Sequence, residues 1–234
     1  MENGAFLQRV ANFICDHWQE PDDGFWESRG GRQHFVISKV MCWVGLDRAV
    51  RAAKKLGLEG DLDRWRATRS AIKAEVLERG FDAERNTFVQ YYGSANLDAA
   101  TLLLPLVGFL PGDDPRIRGT VAAIEKDLVS KDGYVYRYQG FDDGLEGGEG
   151  AFLICTFWLA DCLIAIGERD RAQAVFDRCL RAGNDLSLFS EEYDPRTGEM
   201  LGNFPQAFSH LALINTAVQL GKASSHEARG QARG

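Results

Sequence analysis

"GAFLICTFWLADCLIAIGERDRAQAVFDRCLRAG", residues 150–183, holds two helical signatures of different kind on either side of a Gly-Glu turn at 167–168. Over 150–166 apolar residues occupy almost every side of a helical projection, the signature of a helix buried all round. Over 169–183 a charged face accompanies the apolar one, so that helix buries a single side. A turn this short joins antiparallel neighbours, one inner and one outer.

The same alternation runs along the whole chain. Helices are predicted at 4–18, 37–55, 61–79, 96–109, 115–129, 149–167, 169–183 and 205–221. In the first of them Phe6, Val10, Phe13, Ile14, His17 and Trp18 share one face. The segments 4–18, 61–79, 115–129 and 169–183 are amphipathic, whereas 37–50, 97–109, 150–166 and 205–220 are apolar almost all round. Alternating outer and inner helices build concentric layers, which makes the expected class all-α, either a helical toroid or a solenoid of antiparallel pairs. No repeated motif accompanies the pattern. Strand signals are weak: Tyr134 to Tyr138 alternates briefly and predicts a short hairpin arm at most.

Connection lengths alternate too. Inner-to-outer links are short (55–60, 110–114 and 167–168), while outer-to-inner links are long (19–36, 80–95, 130–148 and 184–205). In an up-and-down arrangement all links of one type lie at one end. Long loops on a rigid scaffold carry function, so one rim is the expected working face.

Composition narrows the function classes. With 234 residues and 45% apolar content the chain buries a full core, read here as one domain over 1–221 with a disordered, apolar-poor tail at 222–234. A net charge of −7 without any basic run argues against nucleic acid or an anionic membrane as partner and favours a neutral or cationic ligand. Residues 1–18 carry no basic leader, and the longest apolar stretch, 151–167, is interrupted by Thr156 and Asp161, so a soluble, cytoplasmic chain is expected. The five cysteines lack C-x-x-C spacing and fall in apolar helical patterns, which reads as buried thiols rather than a metal site.

The four long loops contain "DDGFWESRGGRQH", "FDAERNTFVQYYGSA", "DGYVYRYQGFDDGLEGGEG" and "LFSEEYDPRTGEMLGNFPQ". Carboxylates beside aromatic rings, with arginine and amide donors, suit a neutral polyhydroxylated ligand: rings stack on its C–H faces and charged groups bind its hydroxyls. A sugar is the natural candidate. Two acids on separate loops divide the labour of glycosidic cleavage, one protonating the leaving oxygen and the other activating water. Glu27 follows Trp26, whose indole would desolvate it and raise its pKa; pairing of Glu27 with Arg29 or Arg32 at the surface is the alternative. Glu191 and Glu192 are adjacent, so one is expected to serve the site and the other the fold. Asp194 to Gly198 is an ordinary turn. His34 and His210 are read as hydrogen-bonding within the fold, Tyr91 and Tyr92 as shaping an outer subsite, and Asp142, Asp143, Glu146 and Glu149 as a solvated acidic loop or a cation site.

These motifs resemble glycoside hydrolase family 15, the glucoamylases, glucodextranases and bacterial or archaeal trehalases. The resemblance runs from about Asp22 to Ala217 and is strongest in "DDGFWESRGGRQHFVISKVMCWVGLDRA", "GGEGAFLICTFW" and "SEEYDPRTGEMLGNFPQAFSHLALIN". It implies that Glu27 is the general acid and Glu191 the general base of an inverting, exo-acting α-glucoside hydrolase, trehalase-like or glucoamylase-like, that needs no cofactor. It further implies that Arg137 holds the sugar in the cleaved subsite and that Trp26 lines the same pocket. Arg29 and Tyr193, next to the two acids, complete the expected substrate-binding set. The expected substrate is a small neutral α-glucoside or α-glucan.

The family fold is a toroid of six helical hairpins, of which this chain supplies the last four. Absence of the first two leaves the pocket wall incomplete, and it is expected to expose the sides of 37–53 and 205–220 and to favour self-association. Two other functions fit the same architecture: a sugar lyase or epimerase with a tyrosine or histidine base, and a non-catalytic sugar-binding piece.

Overall fold

The computed structural model describes the backbone of residues 2–140 and 149–231, and the side chains of residues 4–140 and 149–222. Eight α-helices follow one another within these residues: α1 (Glu2–His17), α2 (Val36–Leu56), α3 (Leu62–Arg79), α4 (Leu103–Leu106), α5 (Pro115–Asp127), α6 (Leu153–Ala165), α7 (Arg169–Leu180) and α8 (Ala207–Gln231). The apolar helices α2, α4, α6 and α8 pack in series, and the amphipathic helices lie outside them, α1 and α3 against α2 and α7 against α6 and α8. Helix α6 has the most apolar composition of the set and is buried along nearly its whole length. Local chemistry sets the ends. Asp61 accepts the Arg64 amide to start α3, Asp114 and Pro115 start α5, and Gly57 at φ 65° ends α2.

The predicted helix at 96–109 is broken. A 3₁₀ turn at Ala99–Leu102 runs into the single α-helical turn of α4. Pro105 has no N–H to donate and its ring crowds the preceding turn, so a long regular helix cannot pass through it. The apolar character is nevertheless kept, with Ala99, Ala100, Leu102 and Leu104 all buried.

Short strands join the long loops. Strands β1 (Phe81–Asp82) and β2 (Thr87–Phe88) form a small hairpin, and β3 (Ala151–Phe152), β4 (Glu192–Asp194) and β5 (Glu199–Leu201) an antiparallel three-stranded ribbon. The arm expected at Tyr134 to Tyr138 is not one of them: this stretch makes only isolated bridges, Val135 with Val129 and Tyr138 with Asp98. The chain folds back once, with the Tyr136 amide donating to the Leu128 carbonyl at 2.9 Å and the Ser130 amide to that of Tyr134 at 2.8 Å, and two such contacts are too few for a ladder.

The long loops do share one rim, and they are stitched together in chain order. Phe35 bridges to Tyr91, Asp98 to Tyr138, and Ala151 pairs with Tyr193. At the opposite end Arg48 of inner α2 donates to the Val107 carbonyl, while Lys73 of α3 and Arg118 of α5 donate to those of Phe109 and Ile166, so basic side chains tie the short turns to their neighbouring helices.

Two helices carry exposed apolar stripes. On α8 these are Phe208, Leu211, Ile214 and Val218, as expected for 205–220. Over 37–53 the expectation fails, since Met41 is the one large apolar side chain exposed there. Helices α1, α3 and α4 pack around α2, and α1 carries the stripe instead, through Phe6, Val10 and Phe13. The backbone of 222–231, most of the tail expected to be disordered, continues α8, while the side chains after 222 lie outside the described residues, as do Asp142, Asp143 and Glu146. Among the described residues no helix is long and apolar enough to cross a membrane, and no group of His, Cys, Asp and Glu is arranged to hold a metal ion.

Candidate active site

A cavity of about 440 Å³ opens at the rim, lined by Phe25, Trp26, Glu27, Arg137, Phe152, Ile154, Trp158, Glu191, Gln206, Phe208 and Ser209. Four of the predicted site residues, Trp26, Glu27, Arg137 and Glu191, are brought together in it. Two are not: Arg29 is exposed elsewhere on the loop of Glu27, and Tyr193 packs on Tyr134 with ring centroids 4.9 Å apart.

Glu27 projects from a tight turn. Its φ is 53°, a left-handed conformation that L-residues avoid. The turn is held by hydrogen bonds from the Glu27 amide to the Gly24 carbonyl (3.2 Å) and from the Ser28 amide to the Asp23 carbonyl (2.7 Å). Asp22 anchors it by accepting from the Gly24 amide at 2.8 Å and the Ser38 hydroxyl at 2.6 Å. A non-glycine residue in this region marks a position that the surrounding structure over-determines. The alternative pairing does not occur: among the described residues no ion pair reaches Glu27, and Arg32 meets Asp23 at 3.5 Å. Glu27 is exposed at the cavity mouth, so the desolvation expected from Trp26 is not complete.

Aromatic rings form the wall beside it. Trp26 stands edge-on to Phe25 (5.0 Å) and Phe152 (5.6 Å) and tilted against Trp158 (5.9 Å). Its indole nitrogen donates to both oxygens of Asp98, at 3.0 and 3.1 Å. Arg137 is buried, its guanidinium 4.5 Å from the Phe152 ring, 4.9 Å from Tyr138 and 5.6 Å from Trp26. Glu149 pairs with that guanidinium, through Nε at 3.2 Å and a closer contact at Nη2. Of the acidic loop that the sequence singled out, the described member thus serves Arg137.

The strand geometry separates the two adjacent acids. Successive side chains in extended backbone point to opposite faces. Glu191 faces the cavity, and its Oε2 accepts the Asn203 amide at 3.1 Å and the Asn203 side chain at 3.0 Å. Glu192, half-buried, turns the other way and accepts the Gly150 amide at 2.9 Å; burial pushes its carboxyl up. Gly202 lets the ribbon close on Glu191: at φ 71°, a side chain there would meet Glu191 Oε2 at 2.8 Å.

The remaining candidates serve the fold or lie apart from the cavity. His210 bonds the Gln206 carbonyl at 2.7 Å through Nδ1, and Tyr92 stacks on His34 beneath Arg79. Neither Tyr91 nor Tyr92 lines the cavity. Sequence reasoning missed Phe152, Ile154 and Trp158, which look like ordinary core at the start of an apolar helix. It also missed Gln206, Phe208 and Ser209, although the first of these sits inside the quoted "GNFPQ" run.

The chain belongs to glycosyl hydrolases family 15, whose family model matches residues 5–218. It is 50% identical over 219 residues to a trehalase of Mycobacterium tuberculosis and 45% identical over 218 residues to a trehalase of Thermoplasma volcanium. These matches cover 93% of this chain but 32% and 35% of the two trehalases, so the chain spans about a third of the length of the curated relatives it matches. Its fold is shared by a bacterial glucoamylase solved with acarbose (TM-score 0.74, 15% identity, 92% of this chain and 37% of that one). The glucoamylase of Saccharomycopsis fibuligera shares it as well (TM-score 0.73, 14% identity, 92% and 60%).

Proposed function

We propose that this chain carries the acid–base pair of an inverting α-glucoside hydrolase, with Glu27 as general acid, Glu191 as general base and trehalose as the first substrate to test. The observation that carries the reading is the convergence of both carboxylates on one aromatic-walled cavity from two loops far apart in sequence. The apolar rings offer stacking faces for a pyranose, and Arg137 offers donors to its hydroxyls. Glu27 protonates the glycosidic oxygen. Both Asn203 donors go to Oε2 of Glu191, which leaves Oε1 to take a proton from the attacking water. No cofactor enters this scheme, and a cytoplasmic location is carried over from the sequence unchanged.

Single displacement requires room for water between the acids, so their carboxyl groups are expected roughly 6.5–9.5 Å apart, against about 5–5.5 Å for a nucleophilic mechanism. Proton NMR in the first minutes of trehalose hydrolysis tests this: one half of the product starts as β-glucose under inversion, whereas release of α-glucose alone overturns it. Glu27→Gln is expected to lose far more activity on trehalose than on a glucosyl fluoride, whose leaving group needs no proton, and Glu191→Gln to fail on both. Equal losses in Glu27→Gln would take the acid role from it.

The exposed stripes on α1 and α8 favour a second reading, a piece that binds sugar but acts only with further protein. Phe208 both lines the cavity and belongs to the α8 stripe, so the pocket wall is open where the stripe begins. Glucose release by the isolated chain removes this reading. Self-association through the same faces is part of it, and sedimentation showing only monomer argues against that part.

A further inference from the structure

Asp98 sits 1% exposed beneath the cavity and is not among the residues lining it. It nevertheless joins two of the loops that build the site. Its carboxylate accepts the Trp26 indole N–H through both oxygens, at 3.0 and 3.1 Å, and the Ala100 amide at 2.7 Å. Next to it, the Ala99 amide donates to the Arg137 carbonyl at 2.8 Å, and Asp98 itself bridges to Tyr138. The acid loop is thereby fastened, through one buried side chain, to the backbone that carries Arg137.

We propose that Asp98 is the positioning residue of the acid: it clamps the Trp26 indole and, through the adjoining peptide, presents Glu27 to the cavity. The inference rests on the reading of Glu27 as general acid. Its physical basis is adjacency: Trp26 and Glu27 share a peptide unit in a turn whose left-handed φ of 53° at Glu27 has to be held by its surroundings, and the Asp98 carboxylate supplies part of that hold. The bifurcated N–H adds a directional restraint on the indole to the aromatic contacts of Trp26 and the turn bonds of 22–28. Burial pushes the Asp98 carboxyl up to about 6, and the Trp26 and Ala100 donors and the charge of Arg137 offset that. The ionised form is the stronger acceptor, so the same donors that hold the carboxylate also favour that form.

The test uses the full 234-residue chain with Asp98→Ala and the isosteric Asp98→Asn, which keeps one acceptor oxygen and guards against simple misfolding. In ¹H–¹⁵N NMR, with the Trp26 indole assigned through Trp26→Phe, Asp98→Ala is expected to shift that indole N–H upfield. Its hydrogen exchange is expected to speed up by at least about tenfold. The Glu27 amide signal is expected to move with it, and Asp98→Asn to restore part of both changes. In trehalose hydrolysis, kcat of Asp98→Ala is expected to fall about 100-fold, the scale of an ångström-level misplacement, with KM nearly constant.

An unmoved Glu27 amide beside a released indole overturns the proposal, as does a rise in KM at constant kcat, which would make Asp98 a support for binding alone. The indole and amide signals need no turnover, so they decide the clamp even where the chain cleaves no trehalose. Full activity in Glu27→Gln would instead sink the acid reading and leave the clamp to be judged by NMR.

Discussion

Two buried carboxylates, Asp47 and Asp98, are held in opposite ways. At the end with short turns, Asp47 of α2 is 3% exposed and meets three cations: Arg48 at 2.6 Å, Arg51 at 2.8 Å and Arg69 at 2.9 Å. At the rim, the equally buried Asp98 is held by an indole and a backbone amide. Glu191 follows the same pattern, its donors among the described residues both coming from Asn203. Three cations hold Asp47, and Arg69 among them ties outer α3 to inner α2, whereas neutral donors hold Asp98 and Glu191. The contrast is between these side chains, since at the rim Glu149 still pairs with Arg137 and Asp194 with Arg196.

The strongest test of that contrast is at Asp47. Removing it takes away three charge-assisted contacts whose arginines stay partly in water, so Asp47→Ala is expected to destabilise the chain by about 3 kcal/mol. Catalysis by the folded fraction should be unchanged. Urea unfolding read beside glucose release checks both halves, and a variant of wild-type stability would show that the arginine cluster is only a surface feature.

Two glycines give the next effect, one at each end. At Gly112, an added Cβ would lie 2.2 Å from the Ala165 carbonyl oxygen, so Gly112→Ala forces two backbones apart and is expected to cost about 3 kcal/mol of stability. At Gly202, the added Cβ meets Glu191, and φ is 71°. Gly202→Ala is expected to cost only about 1 kcal/mol of stability but, on the proposed role of Glu191, roughly tenfold or more in kcat, because the ribbon can no longer seat its carboxylate. Similar losses of stability and activity in both variants would erase the distinction between the ends.

The helices and the shared rim are legible in the sequence because both rest on counting: period 3.6 for the inner and outer faces, and alternating link lengths for the ends. Pro105 was equally visible, yet the apolar run around it reads through as one helix; a hydrophobic pattern reports burial, not backbone regularity. Strands of two or three residues are too short to show alternation. The two cavity carboxylates, Glu27 and Glu191, stood out through motifs, whereas Asp98 looks like an ordinary cap before "AATLLLP". Only the fold reveals that the indole of Trp26, 72 positions away, closes on it. The exposed stripe of α1 was hidden for a similar reason, since amphipathicity marks a buried face without saying whether a partner is present.

The smallest effect concerns Asp161, which sits between the inner helices α6 and α8 and receives the Asn215 side chain at 2.7 Å. Like Asp98 it has neutral donors, and burial pushes its carboxyl up to about 6 from the usual 3.8, with the Thr216 and Asn215 donors offsetting part of the rise. The sign follows directly. Between about pH 4 and 6 the folded chain holds a proton here that the unfolded chain has released, so stability from this group is greatest at low pH and falls as pH rises through 6. Asp161→Asn cannot titrate, and the Asn215 amide can still donate to its side-chain oxygen. The stability of the wild type relative to this variant is therefore expected to drop by on the order of 2 kcal/mol between pH 4 and pH 7. Taking the difference cancels carboxylates such as Asp114, whose Arg116 partner lowers its pKa and gives the opposite slope. Parallel pH profiles for the two proteins would mean that Asp161 is solvated more than its burial implies, and would weaken its likeness to Asp98.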